Sequence, residues 1–233
     1  MTFYAQMSSG LGRILLCSTG DHLNGLYFVG QKDCPPLADL SIPLPRASDP
    51  TAGSMSGLAI KTFKASKLSN DDLFGEANLL RTASGAHTTS MAKAAGAIID
   101  CDPDSLSYMQ AETPANAQAI FLQTQKELGE YFLGDRTTFS VPLLTEGTDF
   151  QKKVWRALLD IPYGQSVSYA DVARAAGLTA QHGRPVGTAV GRNPITIIIP
   201  CHRVLSSVGT LAGYTGGLER KFALLQLEGF TVG

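Results

Sequence analysis

The sequence predicts a mixed α/β chain of the α+β kind, with strands and one long helix in front and a mainly helical back containing a helix-turn-helix. Three observations predict it. Two apolar runs flank a polar turn near the N-terminus. A segment around residue 120 has helical spacing. At Thr148 the texture changes to short helical runs that end on glycine. At 233 residues the chain can bury a substantial core in one large or two small domains, and the expected division is into 1–143 and 144–233.

The front part opens on "GRILLCSTGDHLNGLYFVGQ" (12–31), two strands joined by a turn rich in Gly, Asp and Asn, which is a hairpin signal. Residues 35–60 are full of Pro, Ser and Ala and punctuate the chain, while 61–112 show too little periodicity to assign elements. Together they read as a long insertion near 35–112. In "PANAQAIFLQTQKELGEYFLG" (114–134), Ile120, Leu128, Tyr131 and Phe132 recur at helical spacing and Gly134 ends the run. "TFSVPL" (138–143) reads as a short strand.

In the back part, Thr148 and Gln151 have the spacing of a capping box, and Phe150, Val154, Leu158 and Ile161 line one helical face before Pro162-Tyr163-Gly164 stops it. A second helix starts at Ser168 and ends at Gly177. A third spans Arg184 to Val190, with Pro185 tolerated in its first turn. Two short helices about a turn, the second carrying the small residues Gly187, Thr188 and Ala189, make the helix-turn-helix candidate. Ile195–Ile199 reads as a buried strand that runs through Pro200 into Cys201, His202 and Arg203. In the last helix Leu218, Phe222 and Leu225 form a stripe, and Glu228 falls beside it, where a carboxylate needs a partner.

No apolar run approaches the roughly 18–20 residues of a membrane span, and "MTFYAQMSSG" has neither the basic start nor the apolar stretch of a signal peptide. Four widely spaced cysteines with no CxxC pair fit free thiols in a reducing compartment. Residues 150–233 hold nine Lys/Arg and four Asp/Glu; the residues before them hold ten and sixteen. The basic back is the half suited to an anionic partner.

A thiol attacks as thiolate, an imidazole can take its proton, and a carboxylate can hold that imidazole. Cys201, His202 and Glu228 supply the three parts. A Cys-His dipeptide alone more often marks a buried cysteine beside a surface histidine. Here it is embedded in a long pattern: "IPCHRV" (199–204), "FQKKVWRALLDIPYGQSVSY" (150–169), "GRPVGTAVGRNP" (183–194) and "GYTGGLERKFALLQLEG" (213–229). This pattern resembles the O⁶-alkylguanine-DNA alkyltransferases, also called methylated-DNA–protein-cysteine methyltransferases. "LNGLYFVGQK" (23–32) and the helix at 114–134 resemble that family's N-terminal domain.

The resemblance implies a ribonuclease-H-like sheet-plus-helix domain followed by a winged-helix-like domain. It implies repair of O⁶-alkylguanine in double-stranded DNA by a monomer without a cofactor, in the cytoplasm or, in a eukaryotic host, the nucleus. Cys201 would accept the alkyl group, His202 would act as its base through a water, and Glu228 would orient His202. Asn193 would tie the recognition helix to the active-site segment. Arg184 would replace the extruded guanine, Tyr169 would press on the target phosphate, and Arg192 would contact DNA. Tyr214, the Thr215 amide and the carbonyls of Cys201 and Val204 would line the base pocket, with Lys221 near them. Pro185 departs from the family's small residue beside the arginine. Thr19 and Asn24 stand where some relatives carry zinc ligands, so no metal is expected, and Cys17, His22, Cys34, His87 and Cys101 match no common zinc spacing. Two other readings remain open at this level: a cysteine hydrolase using Cys201, His202 and Glu228, and a non-catalytic lesion sensor or regulator.

Overall fold

The computed structural model describes residues 1–36, 105–179, 182–207, 209–211 and 213–230. The insertion expected near 35–112 lies, from 37 to 104, outside the described residues. Two compact units form. The described residues of the first are 1–36, 105–146 and Pro194–Thr196; those of the second are 147–179, 182–193, 197–207, 209–211 and 213–230. An antiparallel sheet comes first and helices follow, as the sequence predicts.

The first unit holds a sheet of order β3-β2-β1-β4, built from β1 (Phe3–Met7), β2 (Ile14–Ser18), β3 (Leu23–Phe28) and β4 (Ser107–Tyr108). The hairpin β2–β3 is the one read from sequence. Its polar turn is closed by Ser18, whose Oγ accepts from the Gly20 amide at 3.1 Å and donates to the His22 carbonyl at 2.9 Å. β1 and β4 have no counterpart in the sequence reading. β1 pairs with β2 from Phe3 opposite Ser18 to Met7 opposite Ile14. Although the turn residues Ser8, Ser9 and Gly10 follow it, only Phe3 and Tyr4 of its five residues favour strands, too few to announce one. Helix α1 (Ala115–Phe132) buries Ile120, Phe121, Leu128, Tyr131 and Phe132, and Gly134 ends it at φ 79°.

Two expected strands are absent. Among the described residues, 138–143 make only one parallel bridge, Leu143 to Leu23. Pro142 has no N–H to give a ladder, and the Ser140 amide donates to Glu127 Oε2 of α1 at 2.8 Å, so the segment is tied to the helix. Ile195–Ile199 is buried as expected but is a turn. Ile195 bridges Leu26, and Thr196 donates to the Leu26 carbonyl through both its amide (3.0 Å) and its hydroxyl (2.8 Å). The backbone then turns at Ile197, whose φ of 72° is rare for a β-branched residue. Pro200 (φ −81°, ψ 63°) sits in an inverse γ-turn, with the Cys201 amide donating to the Ile199 carbonyl at 2.8 Å.

In the second unit, Thr148 caps α2 (Asp149–Leu159) through the predicted box: the Gln151 amide donates to Thr148 Oγ1 (3.2 Å) and the Thr148 amide to Gln151 Oε1 (2.9 Å). Val154, Leu158 and Ile161 are buried. Trp155, not singled out in the sequence, is also buried and donates from Nε1 to the Ala189 carbonyl at 2.9 Å. A short parallel pair, β5 (Val167–Ser168) with β6 (Val204–Leu205), leads into α3 (Tyr169–Ala175), whose cap is Ser168 with Asp171. Gly177, at φ 72°, ends α3, and α4 (Gly183–Gly191) packs on α2 and α3. Helix α5 (Leu218–Leu227) buries Leu224 and Leu225. Leu205 and Leu225 form a small core that Leu211, Phe222 and Phe230 cover.

Candidate active site

Cys201–Arg203 form one turn of 3₁₀ helix, in which the Arg203 amide donates to the Pro200 carbonyl at 3.0 Å. Adjacent side chains on a strand would point to opposite faces, whereas on this turn, at three residues per turn, Cys201 and His202 diverge by about 120°. Cys201 and His202 are both buried. The Cys201 Sγ accepts from Asn193 Nδ2 at 3.0 Å, and the same amide group donates to the Ile199 carbonyl at 2.7 Å. Asn193, which follows directly on the capping residue of α4, thus holds both the active-site turn and its sulfur.

Burial pushes the Cys201 pKa up. The Asn193 hydrogen bond, the Lys221 charge and the Cys201 and His202 amides oppose the rise without cancelling it. The resting group is therefore a thiol at neutral pH.

Behind it stands a buried ionic network. His202 Nε2 lies 2.9 Å from Glu228 Oε1. Arg203 grips the same carboxylate with both arms, Nε to Oε2 and Nη2 to Oε1, each at 2.9 Å. Its remaining arm donates from Nη1 to the Ile161 carbonyl at 2.6 Å. The Gly164 amide adds a bond to Glu228 Oε2 at 3.2 Å, and Tyr163 donates to the Leu227 carbonyl at 2.9 Å. Gly164 sits at φ 73°, and a Cβ there would come within 3.1 Å of the Glu228 carbonyl oxygen. Burial alone would raise the Glu228 pKa. The charges and hydrogen bonds of His202 and Arg203, His202 being charged only in the acid range where the carboxyl titrates, reverse that and bring it down to about 2. For His202 burial outweighs the pull of Glu228, and its pKa falls below the ordinary value. The imidazole is neutral at rest, and its Nδ1 is buried without a hydrogen-bond partner among the described residues.

Arg203 received no role from sequence. Its place two residues after the cysteine was visible, but its carboxylate lies 25 residues further on. Lys221 is fully buried and donates to the Val204 carbonyl at 2.6 Å. Burial lowers its pKa to about 8, against the pull of Cys201. The carbonyl that the resemblance offers to guanine is thus already engaged on one lone pair, leaving the second.

Tyr169 opens α3 half-buried. Burial, and then Cys201, raise its pKa, and its ring lies 3.7 Å from where a Cβ on Gly187 would stand. Tyr214 Oη is buried without a hydrogen-bond partner among the described residues, and Thr215 follows it half-buried. Arg184 and Arg192 are exposed at the two ends of α4, with exposed Thr188 midway on the same face. No described hydrogen bond or ion pair links either arginine to the Cys201 network. Among the described residues no cluster of three or more His, Cys, Asp or Glu could hold a metal ion; His87 and Cys101 lie outside them.

Residues 149–230 match the family model of the 6-O-methylguanine DNA methyltransferase DNA-binding domain. The methylated-DNA–protein-cysteine methyltransferase of Mycobacterium bovis is 53% identical over 102 residues, 44% of this chain and 61% of that one. The constitutive methyltransferase of Bacillus subtilis is 49% identical over 118 residues, 50% of this chain and 68% of that one. The match thus spans less than two thirds of the mycobacterial relative's own length. The crystal structure of Mycobacterium tuberculosis O⁶-methylguanine methyltransferase superposes with a TM-score of 0.60 at 28% identity, covering 98% of this chain and 93% of that one. That organism's protein in complex with DNA gives 0.57 at 29% identity, covering 96% and 90%. With nearly half the residues identical across two thirds of the Bacillus subtilis protein, and with the cysteine, histidine and glutamate of the family's pattern gathered around one buried turn, the chain belongs to the methylated-DNA–protein-cysteine methyltransferase family.

Proposed function

We propose that the protein repairs DNA by moving a methyl or other alkyl group from O⁶-alkylguanine in duplex DNA onto Cys201, once per molecule. The observation that carries this is the buried Cys201 thiol, held by Asn193, with the neutral His202 and the Glu228–Arg203 pair behind it. The DNA complex of the mycobacterial relative supports the choice of partner.

The reacting carbon lies inside a stacked duplex, so the nucleotide must be extruded before a buried sulfur can reach it. Arg184 would enter the space the base leaves, Tyr169 would press on its phosphate, and Arg192 would add a backbone contact. The thiol gives its proton through a water to His202 Nδ1, the ring nitrogen that Glu228 does not use. The imidazolium so formed is stabilised by the Glu228 carboxylate. Sγ then bonds to the alkyl carbon, the C–O⁶ bond breaks, and the electron pair passes to the guanine ring. The base takes up the proton the thiol released and leaves as guanine. Donors at Tyr214 and the Thr215 amide would meet the charge that develops on the base. The product is a thioether with no carbonyl for water to attack, so the protein is consumed. A cofactor has no part in this sequence, and the site of action is wherever the host keeps its DNA.

Incubation with duplex DNA containing O⁶-methylguanine should add one methyl group, about 14 Da, to the Cys201 peptide, in proportion to protein. Cys201→Ala should abolish transfer and still bind DNA, since phosphate contacts supply most of the affinity. Steady turnover of an ester or amide would replace this reading with the hydrolase. DNA binding without any transfer would replace it with the lesion sensor.

A further inference from the structure

The loop that carries Tyr214 and Thr215 has its own fastening. The Gly217 amide donates to the Tyr214 carbonyl at 3.1 Å and closes a four-residue turn. Arg220, near the start of α5, reaches back along the chain, and its Nη1 donates to the Gly216 carbonyl at 2.7 Å. The guanidinium is half-buried, an uncommon place for a charge that only decorates a surface.

We propose, building on the alkyl-transfer reading above, that Arg220 is a positioning residue. It fixes the Tyr214–Gly217 turn so that the Tyr214 hydroxyl and the Thr215 amide meet the edge of the extruded guanine, and its charge strengthens the phenol as a donor to the departing base.

Two observations besides the hydrogen bond support this. Tyr214 Oη is buried and makes no hydrogen bond to a described residue, so it is a donor held ready for something else. Arg220 and Tyr214 also act on each other electrostatically. Burial, with Cys201, pushes the phenol well above its usual range, and the Arg220 charge works against that rise. Burial likewise lowers Arg220, while Tyr214 and then Glu219 pull it back. As the C–O⁶ bond breaks, negative charge grows on the guanine ring. A phenol beside a fixed cation donates a stronger hydrogen bond to that charge than an isolated one. The phenol keeps its proton throughout.

The test measures single-turnover transfer to Cys201 from methylated duplex DNA and from free O⁶-benzylguanine, alongside DNA affinity and thermal melting. Arg220→Met should slow both substrates on the order of 10²-fold, the scale of a small misplacement of reacting groups, with DNA affinity held. Arg220→Lys keeps the charge and one donor, and should recover most of the rate even if the methionine variant melts early. Combining Arg220→Met with Tyr214→Phe should cost little more than the greater single loss, because one residue acts through the other. Strictly additive losses, an unchanged rate, or a defect confined to duplex DNA with weakened binding would each overturn the proposal. The wild-type control separates the two claims. No transfer there sinks the alkyl-transfer reading itself, whereas normal wild-type transfer with an unimpaired Arg220→Met sinks this proposal alone.

Discussion

Consider Glu228→Gln. A carboxylate that served only His202 would tolerate the amide, which could still hydrogen-bond the imidazole. The structure makes the change far more costly. Both Glu228 oxygens are surrounded by donors: His202 Nε2 and Arg203 Nη2 at Oε1, Arg203 Nε and the Gly164 amide at Oε2. An amide NH₂ in either orientation meets a guanidinium N–H, and the buried charge of Arg203 loses its counter-ion. Removing one partner of a buried pair costs roughly 3–5 kcal/mol. A second route agrees. A Glu228 pKa drawn from 4.5 down to about 2 is worth about 3 kcal/mol, each tenfold change in acidity being worth about 1.4 kcal/mol. Because the folded-state pKa is depressed, this stability is present above pH 4.5 and is lost as pH falls toward 2. Denaturant titration at neutral pH should therefore show the full loss in Glu228→Gln, and the variant's stability should depend less on pH between about 5 and 2 than that of the wild type. Arg203→Met combined with Glu228→Gln should recover part of the loss, since no charge is then stranded. Alkyl transfer in the surviving folded fraction should slow about 10- to 10⁴-fold, as for loss of a positioned general base. A loss under about 1 kcal/mol, the scale of an exposed pair, would refute the argument. So would a double variant no more stable than the single one.

Other perturbations follow from the same geometry. Arg184→Ala should impair repair of duplex DNA far more than reaction with free O⁶-benzylguanine, because the side chain stabilises only the extruded state; equal losses would assign it a folding role. Asn193→Ala strips the Ile199 carbonyl and the Cys201 sulfur of their shared donor. It should cost about 1–3 kcal/mol and raise the thiol pKa, read by denaturation and by thiol titration against pH. Gly25→Ala would bring a Cβ within 2.9 Å of the Cys17 sulfur and 2.7 Å of the Tyr27 ring. It should destabilise the first unit by about 1–3 kcal/mol, and adding Cys17→Ala should relieve part of the loss.

Whatever depends on neighbours within a turn or two of chain is legible in the order of the residues. The Thr148–Gln151 box, the Ser168 cap, the glycine at 177 and the β2–β3 hairpin are local contests between a side chain and the nearest backbone groups. The residues that decide them sit three to five positions apart. The chemical trio was legible too, because Cys201-His202 lies in a long, specific pattern and Glu228 in a helix whose period can be counted. Tertiary structure decided what depends on distant partners. Ile195–Ile199 has the composition of a strand. Yet Leu26 accepts from Thr196, Asn193 donates to the Ile199 carbonyl and Ile197 turns between them, so burial held while secondary structure changed. β1 became a strand only because β2 and β4 flank it. Arg203 and Lys221 carry no local signal that separates them from solvated cations. A charge becomes structural only where burial strips its water and a partner replaces it. The distant partners here are a carboxylate 25 residues away for Arg203 and a carbonyl 17 residues away for Lys221.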